Sequence, residues 1–422
     1  MRYVIIGNSA AAIGAVEGIR QVDKAGAITL ISSEPYHTYS RPLISYYLAG
    51  KVTEEKMYYR KPDFYQVNGV ETILGVTATE IDSAAKAVKL TDGRQVAYDK
   101  LLVATGGKPF VPPNLDIKRP GMYSFIKWDD VKAVSEVAKP GSKAIIIGAG
   151  LIGLKAAEGL VKLGVDVTVV ELANRVLSAI LDEEAASFVQ ANLEAHGIKF
   201  ELNTTVEQLH GENKVTGVTL KNGKCLDCDF VIVAIGVVPN TDLVKDTDVA
   251  VNRGIVVDEH MATNVTGIYA AGDVAEGYDI VNQMQRVLPI LPNAYRQGEN
   301  AGINMAGQVQ AYAGGFAMNA IGFFDYPMIT AGIIKPEGNE FESLVHADEE
   351  TGSYKKIVLR NNTIVGFIYL NHVDRAGIIT GLIKEQADVT AFKQTLLNDD
   401  FGYIKFPVEQ RRAKLGKGGR PA

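Results

Sequence analysis

Cysteine is nearly absent from this chain of 422 residues, occurring only at Cys225 and Cys228. Two cysteines exclude a disulfide-held scaffold. The six histidines are scattered with no close pair among them, so no metal-binding cluster is expected. Charge of one sign is also missing. Lysine and arginine number 43 against 49 acids, and the net charge of -6 gives no pull toward nucleic acid or an anionic membrane. No basic leader, long apolar stretch or cleavage site precedes the apolar run YVIIG at residues 3 to 7. The expectation is therefore a cytoplasmic protein that is neither exported nor inserted in a membrane. With 47% hydrophobic and 22% charged residues, the composition is that of a globular chain long enough for two or three domains. Only the end departs from it. Residues 411–422 carry Arg411, Arg412, Lys414, Lys417 and Arg420 with no acid, and read as a frayed, solvated terminus.

What is present is a pattern that occurs twice. RYVIIGNSAAAIGA opens the chain as a buried strand, a turn of small residues and a helix start, with Gly7, Ser9 and Ala12 in the places of G-x-G-x-x-G/A. The following strand, AITLISSE, ends at Glu34, whose carboxylate can accept hydrogen bonds from a ribose diol. The motif returns as KAIIIGAGLIGLKAAEGL, with Gly148, Gly150 and Gly153, and DVTVVE closes on Glu171. Such turns let backbone N–H groups approach a pyrophosphate while the helix N-terminus adds partial positive charge. Residues 88–106 (VKLTDGRQVAYDKLLVATG) also align without a gap to residues 218–236 (VTLKNGKCLDCDFVIVAIG), matching Gly93 to Gly223, Asp99 to Asp229, Ala104 to Ala234 and Gly106 to Gly236. The chain therefore holds two copies of one nucleotide-binding unit.

A third block, TGIYAAGDVAE, delivers Gly272 and Asp273 to the end of a short strand, and PNAYRQGENAGINMAG beyond it reads as a small-residue helix. With GNSAAAIGA, RPLIS, YDKLLVATGGKP, IGAGLIG, VIVAIGVVPN and YAAGDV in this order, the chain resembles the pyridine nucleotide-disulfide oxidoreductases. The likeness is to their ferredoxin, rubredoxin and nitrite reductase-like branch, over about residues 1 to 370. The resemblance implies an α/β chain of two Rossmann-like dinucleotide-binding domains, one for FAD and one for NAD(H), plus a smaller α+β C-terminal domain. The expected order is 1–111 for FAD, 112–239 for NAD, 240–311 returning to FAD, and 312–422 as the C-terminal domain.

It implies site residues as well. Gly7, Ser9, Ala10 and Ala11 would face the FAD pyrophosphate and Glu34 the adenosine ribose. Arg41 and Pro42 would line the flavin, and Val76 would offer backbone groups to the adenine. Ala104, Thr105, Gly106, Asp273 and Pro292 would complete that cofactor's contacts. On the second unit Gly148, Gly150, Leu151, Ile152, Gly153 and Gly236 would hold NAD(H). Glu171 would favour NADH by accepting the ribose hydroxyls and repelling a 2′-phosphate. Arg175 could argue for NADPH, and is read as a solvated loop residue.

Relatives that reduce disulfides carry a C-x4-C pair beside the flavin, where this chain has Pro42, Leu43 and Ser45. Thiol chemistry there is not expected. The C-x-x-C at 225–228 aligns with Gln95 and Tyr98 of the first copy, on a hairpin strand where residues three apart point to opposite faces. The expected activity is an FAD-dependent NADH:acceptor oxidoreductase whose partner is an iron-sulfur protein. That partner is a free ferredoxin or rubredoxin, or the iron-sulfur subunit of a larger complex in which the flow can run toward NAD+. The chain would then act as a homodimer or within a hetero-oligomer. A self-sufficient NADH oxidase and an apoptosis-inducing-factor-like redox sensor are the alternatives. Finally, Tyr46 and Lys155 stand where relatives commonly place a paired lysine and glutamate. With Arg41 they are the candidate catalytic residues, and the pair is expected to have lost its acid, keeping one cation.

Overall fold

The computed structural model describes residues 1–416. By its contacts the chain divides into two units, Met1–Ala173 with Gly197–Phe316, and Asn174–His196 with Ala317 onward.

The first unit contains both copies of the repeat, each as a five-stranded parallel sheet. In one, the order is Ile268–Ala270, Lys100–Val103, Arg2–Ile6, Ala27–Ser32, Val70–Leu74. In the other it is Met122–Tyr123, Phe230–Val233, Lys143–Ile147, Asp166–Val170, Lys199–Glu201. The central strands RYVII and KAIII are buried from their second residue onward, as parallel strands covered on both faces must be. The copies agree down to single bonds. The Asp99 carboxylate accepts from Arg2 N–H (2.7 Å) and the Asp229 carboxylate from Lys143 N–H (2.8 Å). Leu90 N–H reaches Arg94 O (3.0 Å) and Leu220 N–H reaches Lys224 O (2.8 Å), closing equivalent hairpin turns. They differ at one edge. The outer strand of the first sheet is supplied by residues 268–270, far along the chain, and that of the second by residues 122–123.

That return strand brings the small-residue helix Leu291–Met305 against the first helix, Ala10–Val22. The two backbones touch, since a Cβ at Gly298 would lie 1.9 Å from Ala11 O. Only glycine permits this approach. The expected small-residue helix thus packs the returning segment against the first glycine-turn helix.

In the second unit five antiparallel strands run in the order Met318–Phe323, Tyr326–Gly332, Thr363–Leu370, Ser353–Arg360, Phe341–Asp348, with the helix Ala376–Glu385 on them. The Asn361-Asn362 turn has φ of 50° and 61°, the left-handed pair a tight hairpin requires. The first hairpin of this sheet turns at Phe324-Asp325, with φ of 47° and 65°. Sequence reading also missed that the helix Glu183–Ala195 belongs to this unit. Asp182 caps it by accepting from Ala185 N–H (3.0 Å), a contact of about 1 kcal/mol. Its other oxygen takes Lys356 (2.8 Å) and the Tyr354 hydroxyl (2.9 Å). The basic tail, expected to fray, is helical over Val408–Gly416, and its remainder, 417–422, lies outside the described residues. Among the described residues no helix is long and apolar enough to cross a membrane.

Candidate functional site

Both glycine turns are built the same way. Gly7 N–H bonds Ile31 O and Gly148 N–H bonds Val170 O, each at 2.8 Å. Their φ values, +131° and +108°, are closed to other residues, and an added Cβ would sit 2.2 Å from Ala104 O and 2.5 Å from Ala234 O. The turns lead into Ala10–Val22 and Leu151–Lys162, whose N-cap residues Ser9 and Gly150 make no side-chain capping bond. The first amides of both helices are thus left for an anion. Leu151 and Ile152 open the second helix, and a Cβ at Gly150 would enter open space.

Around the first turn, Glu34 is held at both oxygens, by Arg41 Nη2 at 2.5 Å and by the Tyr39 hydroxyl at 2.6 Å. Asp273 is partly buried. Burial pushes its carboxyl up to about 6, against the pull of the nearby Arg41 guanidinium. Gly272 is pressed on Ala11, where its added Cβ would stand 3.0 Å from the alanine methyl. The Thr105 hydroxyl donates to Asn240 O (2.7 Å), and Asn240 N–H returns to Gly106 O (2.9 Å). These bonds, with the pairing of Gly107–Pro109 to Val237–Pro239, join the two nucleotide units at the ends of their last strands, where Gly236 also sits. Pro292 is in the first turn of Leu291–Met305. The Val76 N–H bonds Ser32 O (3.0 Å), which leaves its carbonyl as the backbone group on offer. The cradle fits a dinucleotide. Besides the narrow turn, the buried Thr38 Oγ1 and Trp128 Nε1 have no protein partner, which is hydrogen-bonding capacity the fold leaves for a ligand.

In the second nucleotide-binding copy the Glu171 carboxylate accepts from Ala149 N–H (2.7 Å), inside the glycine turn, and from Ala173 N–H (2.8 Å). Each oxygen keeps a lone pair for a ribose hydroxyl. Arg175 is not a solvated loop residue. Its side chain is 17% exposed, and it bonds Asn174 Oδ1 at 2.8 Å and stands 3.7 Å from Glu183.

Lys155 is not a lone cation, because a carboxylate lies one turn along the same helix. Lys155 Nζ pairs with Glu158, a buried carboxylate that also takes Lys162 (2.7 Å) and stands 3.6 Å from Lys51. Burial pushes Glu158 up, but the bonds from Lys155 and Lys162 outweigh it and hold the carboxyl below its usual range. Lys155 Nζ lies 4.6 Å from the centre of the Tyr46 ring, a cation–π contact across the two nucleotide units. The short helix Ile44–Leu48 that carries Tyr46 packs there because Gly159 gives room to Leu48.

Cys225 is exposed and Cys228 buried, both as free thiols. Burial pushes the Cys228 thiol up to about 11, with Asp229 and Asp227 adding to it, so it is no nucleophile at neutral pH. Replacing both with serine is expected to leave flavin reduction and acceptor turnover within about threefold of wild type; a loss of orders of magnitude in a steady-state assay would assign them a redox role. Among the described residues no group of three or more His, Cys, Asp or Glu is placed to hold a metal.

Two dinucleotide cradles on one chain, with no thiol in the first, define a two-nucleotide flavoprotein of the reductase class. Residues 1–298 match the pyridine nucleotide-disulphide oxidoreductase model, and residues 318–387 match the rubredoxin NAD+ reductase C-terminal domain. The chain belongs to the pyridine nucleotide-disulphide oxidoreductase family, and is an FAD-dependent oxidoreductase that uses NAD(H). It is 32% identical over 391 residues to a nitrite reductase [NAD(P)H] of Bacillus subtilis (strain 168), covering 92% of this chain but 48% of that protein. It is also 32% identical over 397 residues to the NADH-dependent phenylglyoxylate dehydrogenase subunit epsilon of Aromatoleum evansii, covering 93% of each. A crystal structure of the covalent putidaredoxin reductase–putidaredoxin complex matches with a TM-score of 0.85 at 25% identity, over 92% of this chain and 94% of that one.

Proposed function

We propose that this protein passes electrons between NADH and an iron-sulfur protein or subunit, with FAD on the first nucleotide unit and NAD(H) on the second. The observation that carries this reading is the pair of cradles joined where Thr105 and Gly106 meet Asn240, with both cysteines on a hairpin of the second nucleotide-binding copy. When bound, FAD supplies the conversion between two-electron nicotinamide and one-electron iron-sulfur chemistry. The chain's own residues bind and orient. Gly7, Ser9, Ala10 and Ala11 present the turn and helix amides to one pyrophosphate, and Gly148, Gly150, Leu151, Ile152 and Gly153 present theirs to the other. Glu34 and Glu171 take the ribose hydroxyls, and Glu171 sets the preference for NADH. Arg41, Pro42, Asp273, Ala104, Pro292 and the Val76 carbonyl complete the first site, and Gly236 the second.

The acceptor follows from the chain's lack of a thiol at the first site and from its likeness to proteins named for rubredoxin, nitrite and phenylglyoxylate reactions. The near full-length match to a subunit of a larger dehydrogenase favours a hetero-oligomer. Anaerobic stopped-flow reduction by NADH, followed by mixing with ferredoxin, rubredoxin or O2, tests the reading. Reoxidation by an iron-sulfur protein at least about tenfold faster than by O2 is expected. Faster reoxidation by O2 would make it an oxidase, and faster reduction by NADPH than by NADH would overturn the role of Glu171.

A further inference from the structure

Tyr39 occupies a node that the cofactor contacts described above pass through. Its ring is buried, 6% exposed, in a cluster with Tyr36 and Trp128, whose ring centres lie 6.5 and 5.2 Å away. Its hydroxyl donates to Glu34 Oε2 (2.6 Å) and accepts from Arg41 Nη1 (3.1 Å) and from Trp128 N–H (3.1 Å). Arg41 Nη2 meets the other Glu34 oxygen at 2.5 Å, which closes a triangle of phenol, carboxylate and guanidinium. Two bonds anchor this triangle to the second nucleotide unit. One is the Trp128 amide, an N-terminal helix N–H that would otherwise lack a partner, and the other is Ile126 O, 3.3 Å from Arg41 Nη1.

We propose that Tyr39 is a positioning residue for FAD, fixing the Glu34 carboxylate and the Arg41 guanidinium in their binding geometry by tying both to the backbone at the start of the helix Trp128–Val137. This deepens the proposed function and rests on FAD occupying the first unit. A hydroxyl is needed because the three contacts ask for one donor and two acceptor sites on a single atom, which a phenol supplies. The phenol also keeps its proton, since burial pushes its ionisation well above the ordinary tyrosine value, so it faces Glu34 always as a donor. Without it, Glu34 would keep only Arg41, and Arg41 only Glu34 and Ile126 O, so one carboxylate oxygen would lose its fixed donor and its link to the Trp128 amide. The first cofactor's site is therefore complete only when residues 126–128 of the other nucleotide unit are in place.

Trp128 makes the test direct. It is the chain's single tryptophan and is fully buried against Tyr39, so its emission reports FAD entering the apoprotein. FAD titrations would compare wild type, Tyr39→Phe, Glu34→Ala and the double variant, each as full-length apoprotein. Tyr39→Phe keeps the ring and its packing, and an unchanged Trp128 emission maximum checks the fold. Loss of a hydrogen bond to a charged group is expected to raise the FAD dissociation constant about 10- to 100-fold. Because Tyr39 acts through Glu34 and Arg41, the double variant should bind at least about threefold more tightly than the product of the two single effects. Tyr39→Phe binding within about threefold of wild type overturns the proposal. So do effects of the two substitutions that simply multiply, as a purely structural role requires. A wild-type apoprotein that takes up no FAD at all overturns the cofactor assignment itself, and with it this inference.

Discussion

Arg41→Ala is expected to purify nearly colourless, with FAD affinity down by a factor of about 100 or more. The guanidinium stands between two carboxylates, bonded to Glu34 at 2.5 Å and close enough to Asp273 to oppose the upward push of burial on that carboxyl. Its removal leaves both acids facing a doubly negative pyrophosphate, and takes away a charge-assisted bond of about 1.5–3 kcal/mol. The same change has a pH signature in the apoprotein. Asp273 sits at about 6 in the fold, above its ordinary carboxylate value, so the folded state binds more protons than the unfolded chain across that interval. Stability contributed by this group is present at low pH and is lost as pH rises toward 6. Without Arg41 the carboxyl moves higher and the loss extends further up. Thermal unfolding should therefore show a larger deficit for Arg41→Ala at pH 7.5 than at pH 5. Full retention of FAD, or a deficit independent of pH, would remove Arg41 from the site.

The duplicated unit was legible because its signals are local. Strand, glycine turn, helix and hairpin each follow from residues a few positions apart, and the gapless match of 88–106 to 218–236 reappears as paired hydrogen bonds at Asp99 and Asp229. What was not legible depends on contacts distant in sequence or on one helical turn of displacement. The assignment of Asn174–His196 to the same unit as the C-terminal sheet rests on Asp182 meeting Lys356 and Tyr354, more than 170 residues away. Tyr39 is one aromatic residue among several in YHTYSRPLISYY (36–47), and nothing nearby announces that its hydroxyl meets the Trp128 amide. Its signal, visible afterwards, is a tyrosine two residues before the arginine it supports. Glu158 belongs to no motif, and only its i, i+3 spacing from Lys155 places the two on one helix face.

Lys155→Glu is the second substitution with a large expected effect, and the position of Glu158 changes what it means. Lys155, Lys162 and Lys51 surround one buried carboxylate, and the first of them lies over the Tyr46 ring. Reversing its charge puts two carboxylates on adjacent turns in a buried place, a broken pair that costs about 3–5 kcal/mol. The variant should unfold at a clearly lower temperature even without cofactor. Its electrochemical effect is separate. If Lys155 lies within about 10 Å of the bound flavin, reversing its charge at an effective dielectric constant of about 20 disfavours the reduced, anionic cofactor by roughly 3 kcal/mol. For a two-electron couple that is a midpoint lower by roughly 60 mV, with slower reduction by NADH. Lys155→Gln, which removes one charge without adding another, should give about half the shift with a smaller loss of stability. Spectroelectrochemical titration of the three proteins decides the role. Graded potentials that follow the charge place Lys155 and Tyr46 at the flavin. A loss of stability with the potential unmoved makes the lysine cluster a clasp between the Ile44–Leu48 helix and the Leu151–Lys162 helix, with no part in the chemistry.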